Sequence, residues 1–141
     1  MTGAAPAILS DLPKGHRFVD ITLALTPERI ARYVEALSDA NCVYEELGLA
    51  PPLAVTAFAL GALLDAVGLA PGTLHTNQEM EVLEAVPLRA SLTLRGTIAQ
   101  RSERAGMVVS VIEFSVTPEG SSEPALRGRT MVMSPAAEAV P

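Results

Sequence analysis

Pro51-Pro52-Leu53-Ala54-Val55-Thr56-Ala57-Phe58-Ala59-Leu60-Gly61-Ala62-Leu63-Leu64-Asp65-Ala66-Val67-Gly68 decides the architecture of this chain. Proline suits the first turn of a helix, where its missing N–H would have no partner anyway, and a glycine suits the residue just past the end. The stretch therefore predicts a helix from Leu53 to Val67, opened by Pro51-Pro52 and closed by Gly68. Thr56 and Asp65 are its only polar side chains. A helix apolar on nearly every side has to be buried all round. The run is too short to cross a membrane, which takes about 20 residues. In a chain of 141 residues the element able to wrap such a helix is a curved sheet.

The flanking sequence supplies that sheet. Leu74–Val86, Ser91–Gln100, Met107–Thr117 and Ala125–Met133 read as strands, separated by turn residues around Pro87, Ser102–Gly106 and Pro118–Pro124. Ser91–Gln100 puts Leu92, Leu94, Gly96 and Ile98 on one face and Thr93, Arg95, Thr97 and Ala99 on the other. Met107–Thr117 is apolar on both faces, as a central strand would be. A fifth strand, Phe18–Leu25, precedes a short helix capped by Thr26 and opened by Pro27. That helix should run to about Ser38-Asp39, with Ile30, Tyr33, Val34 and Leu37 on one face and a Glu28–Arg32 pair on the other. Strand, short helix, buried helix and four strands make an α+β fold. The expected form is a single hot-dog domain, an antiparallel five-stranded sheet wrapped round one long apolar helix, spanning residues 14–134. Residues 1–13 read as a loose N-terminal arm and 135–141 as a C-terminal tail.

Ten basic residues against sixteen acidic ones give a net charge of −6. No basic cluster is present to neutralise phosphates along a nucleic acid, and with 4% aromatics and no Trp there is no stacking platform. A single cysteine, Cys42, excludes an intrachain disulfide and a multi-cysteine metal site, and His16 and His75 lie far apart. Neither a metal nor another cofactor is expected. The N-terminus has no charged segment followed by an apolar run, so a cytoplasmic location is expected. Charged residues are only 18% against 49% apolar, which predicts that a second subunit covers part of the surface.

Three stretches resemble the MaoC-like hot-dog family of (R)-specific enoyl hydratases and hydroxyacyl-thioester dehydratases, in its N-terminal dehydratase-like branch. Tyr33 to Asn41 resembles the helix that leads into an Asp-x-Asn-Pro-x-His motif. Ala50-Pro51-Pro52 resembles the opening of the family's central helix. Leu74 to Glu81, followed by Val86-Pro87-Leu88-Arg89-Ala90, resembles a strand and its turn. The resemblance covers roughly residues 15–135. It implies an acyl-CoA or acyl-carrier-protein thioester as partner, and a homodimer or a heterodimer with a second hot-dog chain. It also implies that Asp39 and Asn41 stand in the motif. Two departures matter: Cys42 replaces the proline, and Tyr44 stands where the family has its histidine. A phenol, with pKa about 10, is a poor base at neutral pH but can donate a hydrogen bond. Some members of the branch are the non-catalytic half of a two-chain dehydratase, and the missing histidine resembles that half.

The expected catalytic residues are accordingly Asp39, Tyr44 and His75, with His75 supplying the absent imidazole. Asn41, Ala50, Pro51 and Pro52 are the expected substrate-binding residues, joined by Arg127 and Arg129 for carrier phosphates. Each has a plainer reading. Asp39 could cap local amides, Tyr44 could pack by its ring, and His75 could be a half-exposed strand-end residue. Arg127 and Arg129 could be a solvated edge. Asp65 would serve a thioesterase, or simply end its helix. A repurposed polyketide-type cyclase or isomerase is a further alternative, and no residue singles it out.

Overall fold

The structure is a computed structural model that describes residues 7–36 and 46–136. Its elements run β1 (Ile21–Ala24), α1 (Pro27–Ala36), β2 (Leu49–Ala50), α2 (Pro52–Asp65), β3 (Leu74–Val82), β4 (Val86–Pro87), β5 (Ser91–Arg104), β6 (Met107–Pro118) and β7 (Leu126–Pro135). The main sheet has the order β1-β5-β6-β7-β3, antiparallel throughout. β6 is the central strand, as its two apolar faces predict. β2 and β4 form a separate two-stranded pair. Leu92, Leu94 and Ile98 of β5, Ile112, Phe114 and Val116 of β6, and Leu126 and Val132 of β7 form the core with Val55, Ala59 and Leu63 of α2.

The capping prediction for α1 holds. Thr26 Oγ1 accepts from the Arg29 N–H at 3.2 Å, and the Thr26 carbonyl accepts from Ile30 N–H at 3.1 Å. Among the described residues the expected Glu28–Arg32 ion pair does not form. β1 is shorter than expected. Phe18 is buried and donates its N–H to the Gly96 carbonyl at 2.9 Å, while Val19 is 87% exposed. Leu23 and Leu25 are buried, so the inward-facing set shifts by one residue between Phe18 and Ile21.

The largest correction concerns α2. It was expected from Leu53 to Val67 and buried all round, but it spans Pro52–Asp65 and leaves one side open. Ala54, Val55, Thr56, Ala59 and Leu63 are buried. Leu53 is 60% exposed, Ala57 and Gly61 are exposed, and Leu60 and Leu64 are half-buried. The reason is geometric. The sheet covers one side, α1 covers the Phe58 side through a Tyr33–Phe58 ring contact at 6.1 Å, and nothing among the described residues covers the rest. A Cβ built on Gly61 meets no atom within 4 Å. Gly61→Ala should therefore stabilise the single chain by about 0.5–1 kcal/mol, read as a rise in the urea midpoint. An unchanged or lower midpoint would count against this open setting.

The N-terminal segment is the second correction. Residues 7–12, read as part of a loose arm, are docked. Ile8 bridges to Gly68 just beyond α2, and a 3-10 turn, Leu9–Asp11, follows. Leu9 is fully buried, and Arg101 donates from Nε (3.0 Å) and Nη2 (2.7 Å) to the Ser10 carbonyl. At the other end β7 continues to Pro135, and buried Ala136 donates to the Gly106 carbonyl at 2.8 Å. The predicted strand Leu74–Val86 ends at Val82, and Val86-Pro87 pairs instead with Leu49-Ala50.

Candidate functional site

Buried Thr56 borders the open side of α2 and joins the helix to the edge strand β3. Its hydroxyl donates to the Pro52 carbonyl at 2.9 Å and sits 3.1 Å from Met80 Sδ of β3. Leu53, Ala57, Leu60 and Leu64 stand next to Thr56 round the helix, at spacings that share one side. Among the described residues β3 has β7 on one side and no strand on the other. Leu74, Met80 and Val82 on it are exposed, and Met80 reaches Thr56 of α2.

Polar groups gather at this edge. A bulge between His75 and Asn77 interrupts the β3–β7 register and brings the His75 ring to Thr130. His75 Nε2 lies 2.6 Å from Thr130 Oγ1, and Thr130 Oγ1 donates to the Asn77 carbonyl at 3.1 Å. His75 Nε2 also lies 3.1 Å from the Asn77 carbonyl, so an Nε2–H would donate to both oxygens. Thr130 is 1% exposed whereas His75 is exposed. Three residues on from His75, Gln78 Nε2 donates to the Glu79 carbonyl at 3.0 Å. The Gln78 Oε1 oxygen is buried and has no donor among the described residues.

The opening of α2 offers less than its sequence suggests. Pro51 and Pro52 have no N–H, and the N–H groups of Ala54 and Val55 both donate to the Pro51 carbonyl, at 3.0 and 3.1 Å. Leu53 N–H is the remaining amide of this turn. Ala50 is buried and pairs with Val86. Asp39, Asn41, Cys42 and Tyr44 lie outside the described residues. Asp65 is exposed at the end of α2, the plainer of its two readings. Among the described residues no group of His, Cys, Asp and Glu could hold a metal ion.

Arg127 and Arg129 lie elsewhere. Their neighbours in β7, Gly128 and Thr130, face α2, so both arginines point outward from the sheet. They line a depression of about 500 Å³ on the outer face together with Arg17, Arg95, Asp20, Glu79, Glu81 and Glu113. Arg95 Nε meets Asp20 Oδ2 at 3.0 Å, and Arg127 Nη1 meets Glu81 Oε1 at 3.9 Å. Four cations face four anions there, and the sheet separates them from His75 and the opening of α2.

A second cleft was not anticipated. It has a volume of about 290 Å³ and is lined by Arg29, Arg32 and Tyr33 of α1 and Phe58 of α2. Arg29 is held by the Ala24 carbonyl (Nη1 3.0 Å), and its guanidinium lies 4.5 Å from the Phe58 ring centre. The signal available in sequence was the spacing of Arg29, Arg32 and Tyr33, which share one side of α1. The supposed Glu28 partner drew Arg32 away from that reading.

Neither a family model nor a curated protein matches the chain by sequence. Solved structures do match in shape. The monoamine oxidase regulatory protein of Archaeoglobus fulgidus superposes with a TM-score of 0.77 at 11% identity, over 97% of this chain and 99% of that one. The HadBC (3R-hydroxyacyl-ACP dehydratase) complex of Mycobacterium tuberculosis gives 0.72 at 21% identity, over 89% and 100%. The R-hydratase PhaJ1 of Pseudomonas aeruginosa gives 0.69 at 14% identity, over 90% and 84%. The chain has the hot-dog fold of the MaoC-like hydratases and dehydratases. In this hot-dog domain the central helix is α2, and β1 and β3 are the two edge strands of the main sheet. No described helix is long and apolar enough to cross a membrane.

Proposed function

We propose that this hot-dog domain binds an acyl thioester beside α2 and adds water to an enoyl thioester, or removes it from a 3-hydroxyacyl thioester. A second hot-dog chain, identical or not, lies across β3. The observation that carries this reading is the unfinished edge. The edge strand β3, the His75–Thr130 pair and Gln78 Oε1, which has no donor among the described residues, lie there, and Met80 joins that edge to Thr56 of α2. Each is a group that a second chain or a bound ligand would complete. The likeness to dehydratases and hydratases supports the reaction class, and HadBC supports a two-chain assembly.

In hydration, the water oxygen bonds to the β-carbon while a proton reaches the α-carbon. Leu53 N–H, at the positive end of α2, polarises the thioester carbonyl and stabilises the enolate that develops. Asp39 takes the proton from water and then delivers it to the α-carbon, with His75 or the Tyr44 hydroxyl assisting by hydrogen bonding. A second reading makes the chain the tunnel-shaping half of an assembly whose other chain carries the aspartate and histidine. Tyr44 in place of the family's histidine favours it.

The test is an assay of the purified chain with crotonyl-CoA and a longer trans-2-enoyl-CoA, following enoyl absorbance and free thiol together. The expected result is loss of the enoyl band without thiol, slowed about a hundredfold by Asp39→Asn. Full activity in that variant removes Asp39 from the mechanism. Release of thiol makes the chain a thioesterase instead. Activity that appears only with a second hot-dog chain, and that Asp39→Asn leaves intact, selects the second reading.

A further inference from the structure

The cleft between α1 and α2 differs from the outer depression in one respect. Among the described residues no carboxylate lines it. In a chain of net charge −6, two guanidiniums stand there with no acid among the described residues within salt-bridge distance. Arg29 is fixed in place by the Ala24 carbonyl and the Phe58 ring, and its Nε and Nη2 remain free to donate. Arg32, one turn later on the same side of α1, has no hydrogen-bond or ion-pair partner among the described residues. A pre-set guanidinium beside a free one is the arrangement that takes a phosphate through several charge-assisted hydrogen bonds. The volume of about 290 Å³ is just below the roughly 300–1,000 Å³ of pockets that hold whole ligands. The cleft therefore fits one end of a ligand. α1 leads directly into the segment that carries Asp39.

We infer that the Arg29–Arg32 cleft is an anion site that holds a phosphate ester of the thioester's carrier. This rests on the thioester reading above. Two carriers share the chemistry: coenzyme A, with phosphates at its nucleotide end, and a carrier protein, with one phosphate on its pantetheine arm.

Calorimetric titration of the purified chain with coenzyme A, 3′-dephospho-coenzyme A, 4′-phosphopantetheine and inorganic phosphate tests it. Arg32→Gln should weaken coenzyme A binding about tenfold or more and flatten its salt dependence, while Arg129→Gln on the outer face leaves both unchanged. If removing the 3′-phosphate causes the same loss, the nucleotide end occupies the cleft. If 4′-phosphopantetheine binds and depends on Arg32, the arm's phosphate does. Affinity that is unaltered by Arg32→Gln for every probe, or lost only with Arg129→Gln, overturns the proposal even if the chain turns over enoyl thioesters. Arg32-dependent phosphate binding in a chain that turns over nothing, alone or with a partner, keeps the anion site and rejects the hydratase reading. Circular dichroism melts of each variant confirm that losses reflect binding rather than unfolding.

Discussion

Replacing Gly128 by valine should lower stability by about 3 kcal/mol, the upper range for overpacking a core. Gly128 lies in β7 opposite Phe114 of β6. A Cβ at this position would fall into the Phe114 ring, 2.5 Å from Cε1 and 2.8 Å from Cε2. The ring cannot swing aside easily, because Phe114 is 4% exposed and packed in the core under α2. On the other side of Phe114, Gly96 of β5 is also crowded, with Leu63 Cδ2 at 3.1 Å and Phe18 Cδ2 at 3.3 Å from a built Cβ. The Phe114 ring thus lies over Gly128, while Gly96 makes room for Leu63 and Phe18. A thermal melt of Gly128→Val should show a fall on the order of 10 °C. Pairing Gly128→Ala with Phe114→Leu should restore part of the loss from Gly128→Ala, a coupling of about 0.5 kcal/mol or more. A Gly128→Val protein that melts with the parent, or strictly additive double-variant energies, would show that Phe114 does not occupy this space.

Leu9→Ala should cost about 3 kcal/mol, within the range for buried leucines cut to alanine. Leu9 is fully buried, its N–H donates to the Gly68 carbonyl at 2.9 Å, and Gly68 N–H donates to Ala7 O at 2.8 Å. The segment ties the end of α2 to the end of β5 through the two Arg101 bonds to Ser10. Losing Leu9 leaves a cavity with little freedom to collapse, since backbone bonds hold both sides. Urea unfolding gives the stability, and limited proteolysis near the N-terminus gives the local opening. Parent-like stability together with rapid cleavage before residue 12 would restore the loose arm that composition suggests.

Composition could not reveal that docking. Met1 to Pro13 is small, apolar and proline-containing, with no periodicity, and its partners Gly68 and Arg101 lie more than fifty residues away. The same distance limit hid the β2–β4 pair, two residues on each side. It also separated Arg127 and Arg129 from the opening of α2. Their spacing shows that they share a face, but not that the face is the outer one. Arg32 shows the opposite error. A local pairing with Glu28 was readable, but the cleft exists only because Phe58, from the next helix, comes to lie beside Arg29. Within the candidate site, His75 and the Ala50-Pro51-Pro52 opening were legible. The His75–Thr130 contact needed the β3–β7 register and its bulge.

The sequence by itself determined the order of the two helices and the five strands of the main sheet, the Thr26 cap of α1, the existence of an apolar central helix, the inward face of β5 and the central place of β6. Each follows from contacts within one strand or one helix turn, where side-chain period and backbone chemistry leave little choice. Only the tertiary structure decided which side of α2 stays open, which strands are left at the edges and which arginines stand without an acid among the described residues. Those outcomes depend on how far a five-stranded sheet can curl and on what two distant segments bring together, and no local pattern records either.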